Sequence, residues 1–265
     1  MAIKSEVRLF DTHCHFDFDA FASDFPTEIS LAQQAGVERF LIPSIGPQNW
    51  QRVAQLAEQF PGAVYYTLGF HPYFLQSDWH NPLARLEREL SVRSEACIAL
   101  GEMGLDGMIA VDTQLQEQLL VGQLAIAQSA QLPVILHSRK MHNRLLQLLK
   151  QTRFQYGGVL HAFSGSVQQA QQFIALGFRI GVGGVITYPR ANKTRQAVAM
   201  LPIESLVLET DAPDMPLSGL QGQPNHPRYL PQVLDALAQL RNEDPHQLAQ
   251  QLWDNSLRVF GLSEA

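Results

Sequence analysis

Cysteine is scarce in this chain. Cys14 and Cys97 are the only two in 265 residues, too few for a disulfide framework. No apolar run is long enough to cross a bilayer. The opening segment, MAIKSEVRLFDTH, has no signal-peptide apolar stretch, so a cytoplasmic protein with no membrane association is expected. Positive charge is not in excess: 19 Lys and Arg face 25 Asp and Glu, for a net charge of −6. That balance argues against a broad basic surface for tight polyanion binding. Nor do aromatic and basic residues fall in an arrangement suited to base stacking. No G-x-G-x-x-G follows the first apolar segment, which counts against a doubly wound open sheet. Linkers, low-complexity tracts and internal repeats are missing too, and residues 1–265 read as one domain.

What is present is a regular alternation. Hydrophobic residues make up 46% of the chain, enough for a full core. Short segments rich in Val, Ile, Leu and aromatics recur at Val7–His15, Glu38–Ile45, Ala63–His71, Cys97–Gly104, Leu132–Arg139, Tyr156–Phe163, Phe178–Ile186 and Ser205–Ala212. They have the character of buried parallel strands. Helical patterns lie between them. Thr113–Gln131 carries leucines and alanines at helical spacing, and Ser166 with Gln169 three residues on forms a capping-box pattern. Eight strands alternating with helices predict an α/β fold, a single-domain (β/α)8 barrel.

In such barrels the active site lies at the C-terminal ends of the strands. His13, His15, Glu102, His137, His161 and Asp211 all fall at or near such ends. A strand's two-residue period puts His13 and His15 on one face and Cys14 on the other, where it reads as a packed thiol. Imidazole and carboxylate ligands suit zinc, manganese or similar divalent ions. Two ions need a bridge, and Glu102, central in strand order, is the choice. His13, His15 and Asp211 complete one site; His137 and His161 complete the other. Such a pair clamps the attacking and leaving oxygens of a displacement and acidifies water. Asp211 beside that water can take its proton, which makes Asp211 and Glu102 the catalytic pair.

Other residues have two readings each. Asp11 and Glu209 share parity with the histidines and with Asp211, and are expected to take up the second N–H of metal-bound imidazoles. His71, in GFHP, either touches substrate or shapes the turn before Pro72. Arg139 shares the direction of His137 and can hold a phosphate oxygen. Ser164, Gly165 and Ser166 open a helix, where backbone N–H groups can bind an anion; an ordinary helix cap is the alternative. Arg190, Lys193 and Arg195 form a basic cluster that a solvated helix start explains equally well. His80, His142, His226 and His246 read as surface residues.

The segments FDTHCHFD, GFHP, GEMGLD, PVILHSR, HAFSGS, GVGGVITYPR and LETDAPDMP, in this order, resemble the TatD-type metal-dependent hydrolases and deoxyribonucleases. The likeness runs from Asp11 to Asn255–Phe260. ITYPRANKTR and DAPDMPLSGLQGQPN make it greatest to the YjjV-like bacterial subgroup. It implies a barrel of the amidohydrolase superfamily with two divalent metals (Zn, Mn or Mg) on His13, His15, Glu102, His137, His161 and Asp211. It also implies a substrate that is DNA or a small phosphodiester, often attacked from a 3′ end, and a monomer without an obligate partner. Two positions depart from the pattern: Gly107 follows Asp106 where an aromatic residue is common, and Met103 stands where isoleucine is usual.

Three functions therefore compete. The first is a metal-dependent phosphodiesterase acting on DNA. The second is a hydrolase of a small ester, amide or phosphoester. The third, a metal-binding protein without catalysis, fits poorly with Asp211 and Glu102 standing beside all four histidines.

Overall fold

Eight apolar segments become eight parallel strands in a computed structural model that describes residues 7–76 and 80–264. They are β1 (Leu9–Asp11), β2 (Val37–Ile42), β3 (Val64–Leu68), β4 (Cys97–Asp106), β5 (Val134–Arg139), β6 (Gly158–Leu160), β7 (Phe178–Val182) and β8 (Leu206–Leu208). Their order in the sheet is their order in the chain, as right-handed crossovers between successive parallel strands produce. The crossovers carry α1 (Phe25–Gln34), α2 (Trp50–Gln59), α3 (Pro82–Ser91), α4 (Thr113–Ala130), α5 (His142–Thr152), α6 (Val167–Ile174) and α7 (Asn192–Met200). After β8 come α8 (Leu230–Arg241) and α9 (Pro245–Phe260). Among the described residues no helix is long and apolar enough to cross a membrane.

The seam between β8 and β1 closes through the chain beyond the regular strands. The Thr12 N–H donates to the Leu208 carbonyl (3.0 Å), Asp211 N–H to the His13 carbonyl (2.8 Å) and His15 N–H to the Ala212 carbonyl (2.7 Å). Cys14 N–H turns the other way, to the carbonyl of Leu41 in β2, β1's other neighbour (3.1 Å). Residues 12–15 thus keep the alternation of a strand although β1 itself is short.

Side chains from seven of the strands fill the barrel's lower interior: Phe10, Leu41, Tyr65, Ala99, Ile135, Val159 and Val207 pack together with Trp253, Leu257 and Phe260 of α9. The last helix therefore plugs the N-terminal end of the barrel. A second, larger core lies between the outer strand faces and the helices, and Cys14 is buried in it beside Phe16 and Phe40. Bulk at the bottom leaves the C-terminal ends as the open rim. Helix starts are fixed by side chains: Asp112 caps α4, Asp244 caps α9, and Ser166 with Gln169 forms a capping box on α6.

Between β4 and β5 the backbones come unusually close. Gly104 pairs with His137 at φ 155°, and a Cβ there would sit 1.9 Å from the His137 carbonyl oxygen. Gly104→Ala combines an unfavourable φ with overpacking, so it is expected to cost roughly 2–6 kcal/mol. Urea unfolding checks this, and an unchanged midpoint would contradict the close approach.

Candidate metal centre

Glu102 is the hub of the rim. It stands on β4, where a carboxylate is 1% exposed and surrounded by imidazoles. Its backbone is pinned from the neighbouring strands. The Glu102 N–H donates to the Ser44 carbonyl (2.9 Å), and the Gly101 carbonyl accepts from the hydroxyls of Ser44 and Thr67. The carboxylate's two oxygens face different groups. Oε1 lies 2.7 Å from His161 Nε2, 2.9 Å from His137 Nδ1 and 3.1 Å from His71 Nε2. Oε2 lies 3.1 Å from His13 Nε2 and 3.7 Å from His15 Nε2. Asp211 Oδ1 completes that second group at 3.4 Å from His13 and 3.9 Å from His15.

Three triads of ligand atoms are close enough to hold an ion: His13–Glu102–His161, His13–His15–Asp211 and His71–Glu102–His137. All six residues expected from strand ends converge here, and His71 joins them. Asp211 reaches in from a left-handed turn, φ 58°, a conformation Asp tolerates better than most residues.

The electrostatics suit cation binding. Burial, reinforced by neighbouring His161, holds His13 well below its ordinary pKa. Burial likewise brings His15 to about 4 and lowers His71. These rings are neutral and keep a lone pair. Burial works against charge on Glu102, but the surrounding histidines win and hold it well below the usual carboxylate range. Burial, with Glu102 and Asp214 nearby, pushes Asp211 the other way, well up. His13 and His161 stack at 3.8 Å, nearly parallel. Both His13 ring nitrogens, Nδ1 of His15 and Oε2 of Glu102 are buried without a hydrogen-bond partner. Buried polar atoms without partners are costly, and a divalent cation among them satisfies both the lone pairs and the paired carboxylates. The donor set therefore fits metal.

Hydrogen bonds fix the tautomer of one ring and hold another between two carboxylates. The Tyr73 N–H donates to His71 Nδ1 (3.0 Å), so in the neutral ring Nε2 carries the proton. His71 faces Glu102 as a donor and not as a free lone pair. His137 directs Nδ1 at Glu102 and Nε2 at Asp106 Oδ2 (3.2 Å). Those two carboxylates outweigh burial and raise His137 to about 9.

Above the hub lies a cavity of about 1000 Å³ whose wall includes His15, His71, Glu102, His137, His161 and Asp211 together with Arg139, Lys140, His142, Ser164, Phe18, Tyr73 and Phe74. Arg139 is exposed on this wall. Gly165 and Ser166 are not among the lining residues. The Ser166 hydroxyl accepts from the Gln169 N–H, so the helix-cap reading describes it, and a Cβ on Gly165 would press on Phe163. Arg190, Lys193 and Arg195 stay away from the cavity; Arg190 lies over the Tyr188 ring and Arg195 donates to the Ile186 carbonyl.

Several sequence expectations need correction. Asp11 takes no imidazole N–H. It accepts from the Thr210 hydroxyl (2.6 Å), the Thr210 N–H (3.0 Å) and the His13 backbone N–H (3.3 Å). It braces the β1–β8 seam, and burial raises it to about 7. The expectation for Glu209 is not overturned: it accepts the Ala162 N–H, burial raises it to about 8 while nearby His161 pulls it down, and Gly181 leaves room for its carboxylate. His226 is not a surface residue. It is 6% exposed, bonded to Glu28 at 2.9 Å and edge-on to Phe16 and Phe21. His142 lines the cavity, while His80 and His246 are exposed. Sequence reading also missed Asp106, which it left beyond the end of strand 4; its even spacing from Glu102 was the available signal.

Comparison with known proteins identifies the family. The family model described as TatD related DNase matches residues 10–261. The metal-dependent hydrolase YjjV of Escherichia coli is 46% identical, over 96% of this chain and 98% of its own length. The crystal structure of Escherichia coli YjjV, a TatD homolog, superposes with a TM-score of 0.93 at 45% identity, covering 97% of this chain and 99% of that one. The 3′-5′ ssDNA/RNA exonuclease TatD of Yersinia pseudotuberculosis is 32% identical over 96% of this chain and 100% of its own. The chain belongs to the TatD family of metal-dependent hydrolases.

Proposed function

We propose that this protein hydrolyses phosphodiester bonds of single-stranded nucleic acid with two divalent cations, Zn, Mn or Mg, shared through Glu102. The observation that carries the reading is the division of the Glu102 oxygens between two histidine groups. His13, His15 and Asp211 would hold one ion and His137 and His161 the other. Bound there, the ions supply positive charge against phosphoryl oxygens and make water more acidic.

The chain's own groups do the rest. Asp211 accepts the proton of the attacking water. His71 lines the same cavity and, donating its Nε2–H to Glu102, helps hold that carboxylate in place. Arg139 and Lys140 draw the phosphate in. The same cavity suits a base: Tyr73 is 61% exposed and stands edge-on to Phe74, with ring centres 5.1 Å apart. Scattered in sequence, these aromatic and basic residues meet in one cavity, and the name of the Yersinia relative supports the same substrate. A second reading, hydrolysis of a small ester, amide or phosphoester, draws on the net charge of −6.

Turnover on single-stranded DNA, RNA and small phosphodiesters, with the metal varied, separates the two. Hydrolysis of small esters alone would overturn the nucleic-acid reading. Base stacking on an aromatic side chain contributes about 1–3 kcal/mol. Tyr73→Ala is accordingly expected to raise KM for DNA by roughly 5- to 150-fold. A strand with abasic residues at its end should show no such change. Equal effects on both strands would remove Tyr73 as a stacking surface.

A further inference from the structure

We propose that Asp106 is the positioning residue for His137: its carboxylate takes the ring's Nε2–H and leaves Nδ1 as the lone pair facing Glu102. The inference rests on the two-metal reading above only in giving that lone pair an ion to bind. The geometry is local and specific. Asp106 is 4% exposed, and its Oδ2 lies 3.2 Å from His137 Nε2. On the far side of the ring, Nδ1 is 2.9 Å from Glu102 Oε1 and 3.3 Å from His161 Nε2. A ring that donates on one edge must present a lone pair on the other when neutral. Partners of this kind orient metal-facing imidazoles and make them more basic.

The other Asp106 oxygen is also committed. Oδ1 accepts the Met108 N–H (2.8 Å). Both neighbours are donors, and only a carboxylate offers two acceptors at once. Asparagine has one acceptor and one donor, so either orientation mispairs one neighbour. The backbone does not depend on the carboxylate. Gln116, reaching in from α4, accepts the Asp106 N–H (2.8 Å) and donates to its carbonyl (3.2 Å). Asp106→Asn therefore changes the ring's partner while the strand end stays held. With Oδ1 kept on Met108, the amide points an N–H at His137 Nε2 and favours the opposite tautomer. An amide replacing a carboxylate in this position can leave geometry intact and still impose the wrong tautomer on an imidazole.

The test uses the full chain, stripped of metal, and zinc as the probe. Titration against a competing chelator is expected to show two equivalents for the unmodified protein. In Asp106→Asn one equivalent should bind about 10- to 100-fold more weakly, with the other unchanged. Asp106→Ala should weaken the same equivalent. Nitrogen-15 NMR of the zinc-loaded protein gives a second readout: His137 should carry its proton on Nε2, beside Asp106, with Nδ1 unprotonated, and Asp106→Asn should lose that pattern. The proposal is overturned if both equivalents bind normally in both variants, or if His137 of the unmodified zinc-loaded protein carries its proton on Nδ1. Should the unmodified protein bind a single equivalent, the two-metal reading fails separately, and the Asp106 assignment stands only if Asp106→Asn weakens that one.

Discussion

Glu102→Ala is expected to lose both metal equivalents and with them turnover, by more than about 10³-fold. No other carboxylate among the described residues faces both histidine groups. Oε1 is within 3.1 Å of His71, His137 and His161, while Oε2 faces His13 and His15. Alanine removes the negative charge from the centre and leaves buried imidazoles with only Asp211 and Asp106 for carboxylate partners. Glu102→Gln provides a finer test. The amide keeps one acceptor oxygen, so it can serve one ion and not two, and one equivalent is expected to remain. Elemental analysis of metal content beside turnover checks both variants. Two equivalents retained by Glu102→Ala would show that the carboxylate does not join the sites.

The second large effect belongs to Asp211. Asp211→Asn keeps the side chain's size and one ligand oxygen, but neither the charge nor the ability to accept a proton. Loss of a general base costs about 10²–10⁴-fold in rate, and that drop is expected with metal content near normal. The carboxyl is sensitive to its surroundings. Burial, Glu102 and Asp214 push its pKa up, and a cation beside His13 and His15 opposes that push. Metal occupancy and proton acceptance by Asp211 are therefore linked, which is why stoichiometry and rate must be measured on the same preparation. Near-normal turnover at full occupancy would make Asp211 a ligand only, and the base would have to be sought elsewhere.

Among the residues of this site, the legible ones share a property that local sequence expresses. His13, His15, Glu102, His137, His161 and Asp211 each lie on an apolar strand or just past its end, and in a parallel barrel every strand delivers its C-terminal end to one rim. Alternation gave the direction of His13 and His15 and sent Cys14 to the outer core. Asp106 was hidden because β4 runs on to Asp106, past the expected stop at Gly104, held there by pairing with β5 up to Arg139. His226 was misread because its burial comes from Glu28, Phe16 and Phe21, all from a distant part of the chain.

Sequence by itself determined the alternation of strands and helices, the barrel and the residue types at its rim. Periodicity and strand-end position are properties of neighbouring residues. Tertiary structure alone decided which oxygen of Glu102 faces which histidine, and which ring nitrogen of His71 carries the proton. It also decided that Asp11 braces the seam through Thr210, and that Phe18, Tyr73 and Phe74 line one cavity with Arg139 and Lys140. Those are distances and directions between segments far apart in the chain. Hydrogen bonds reach only about 3 Å, so such pairings exist only once the barrel has closed.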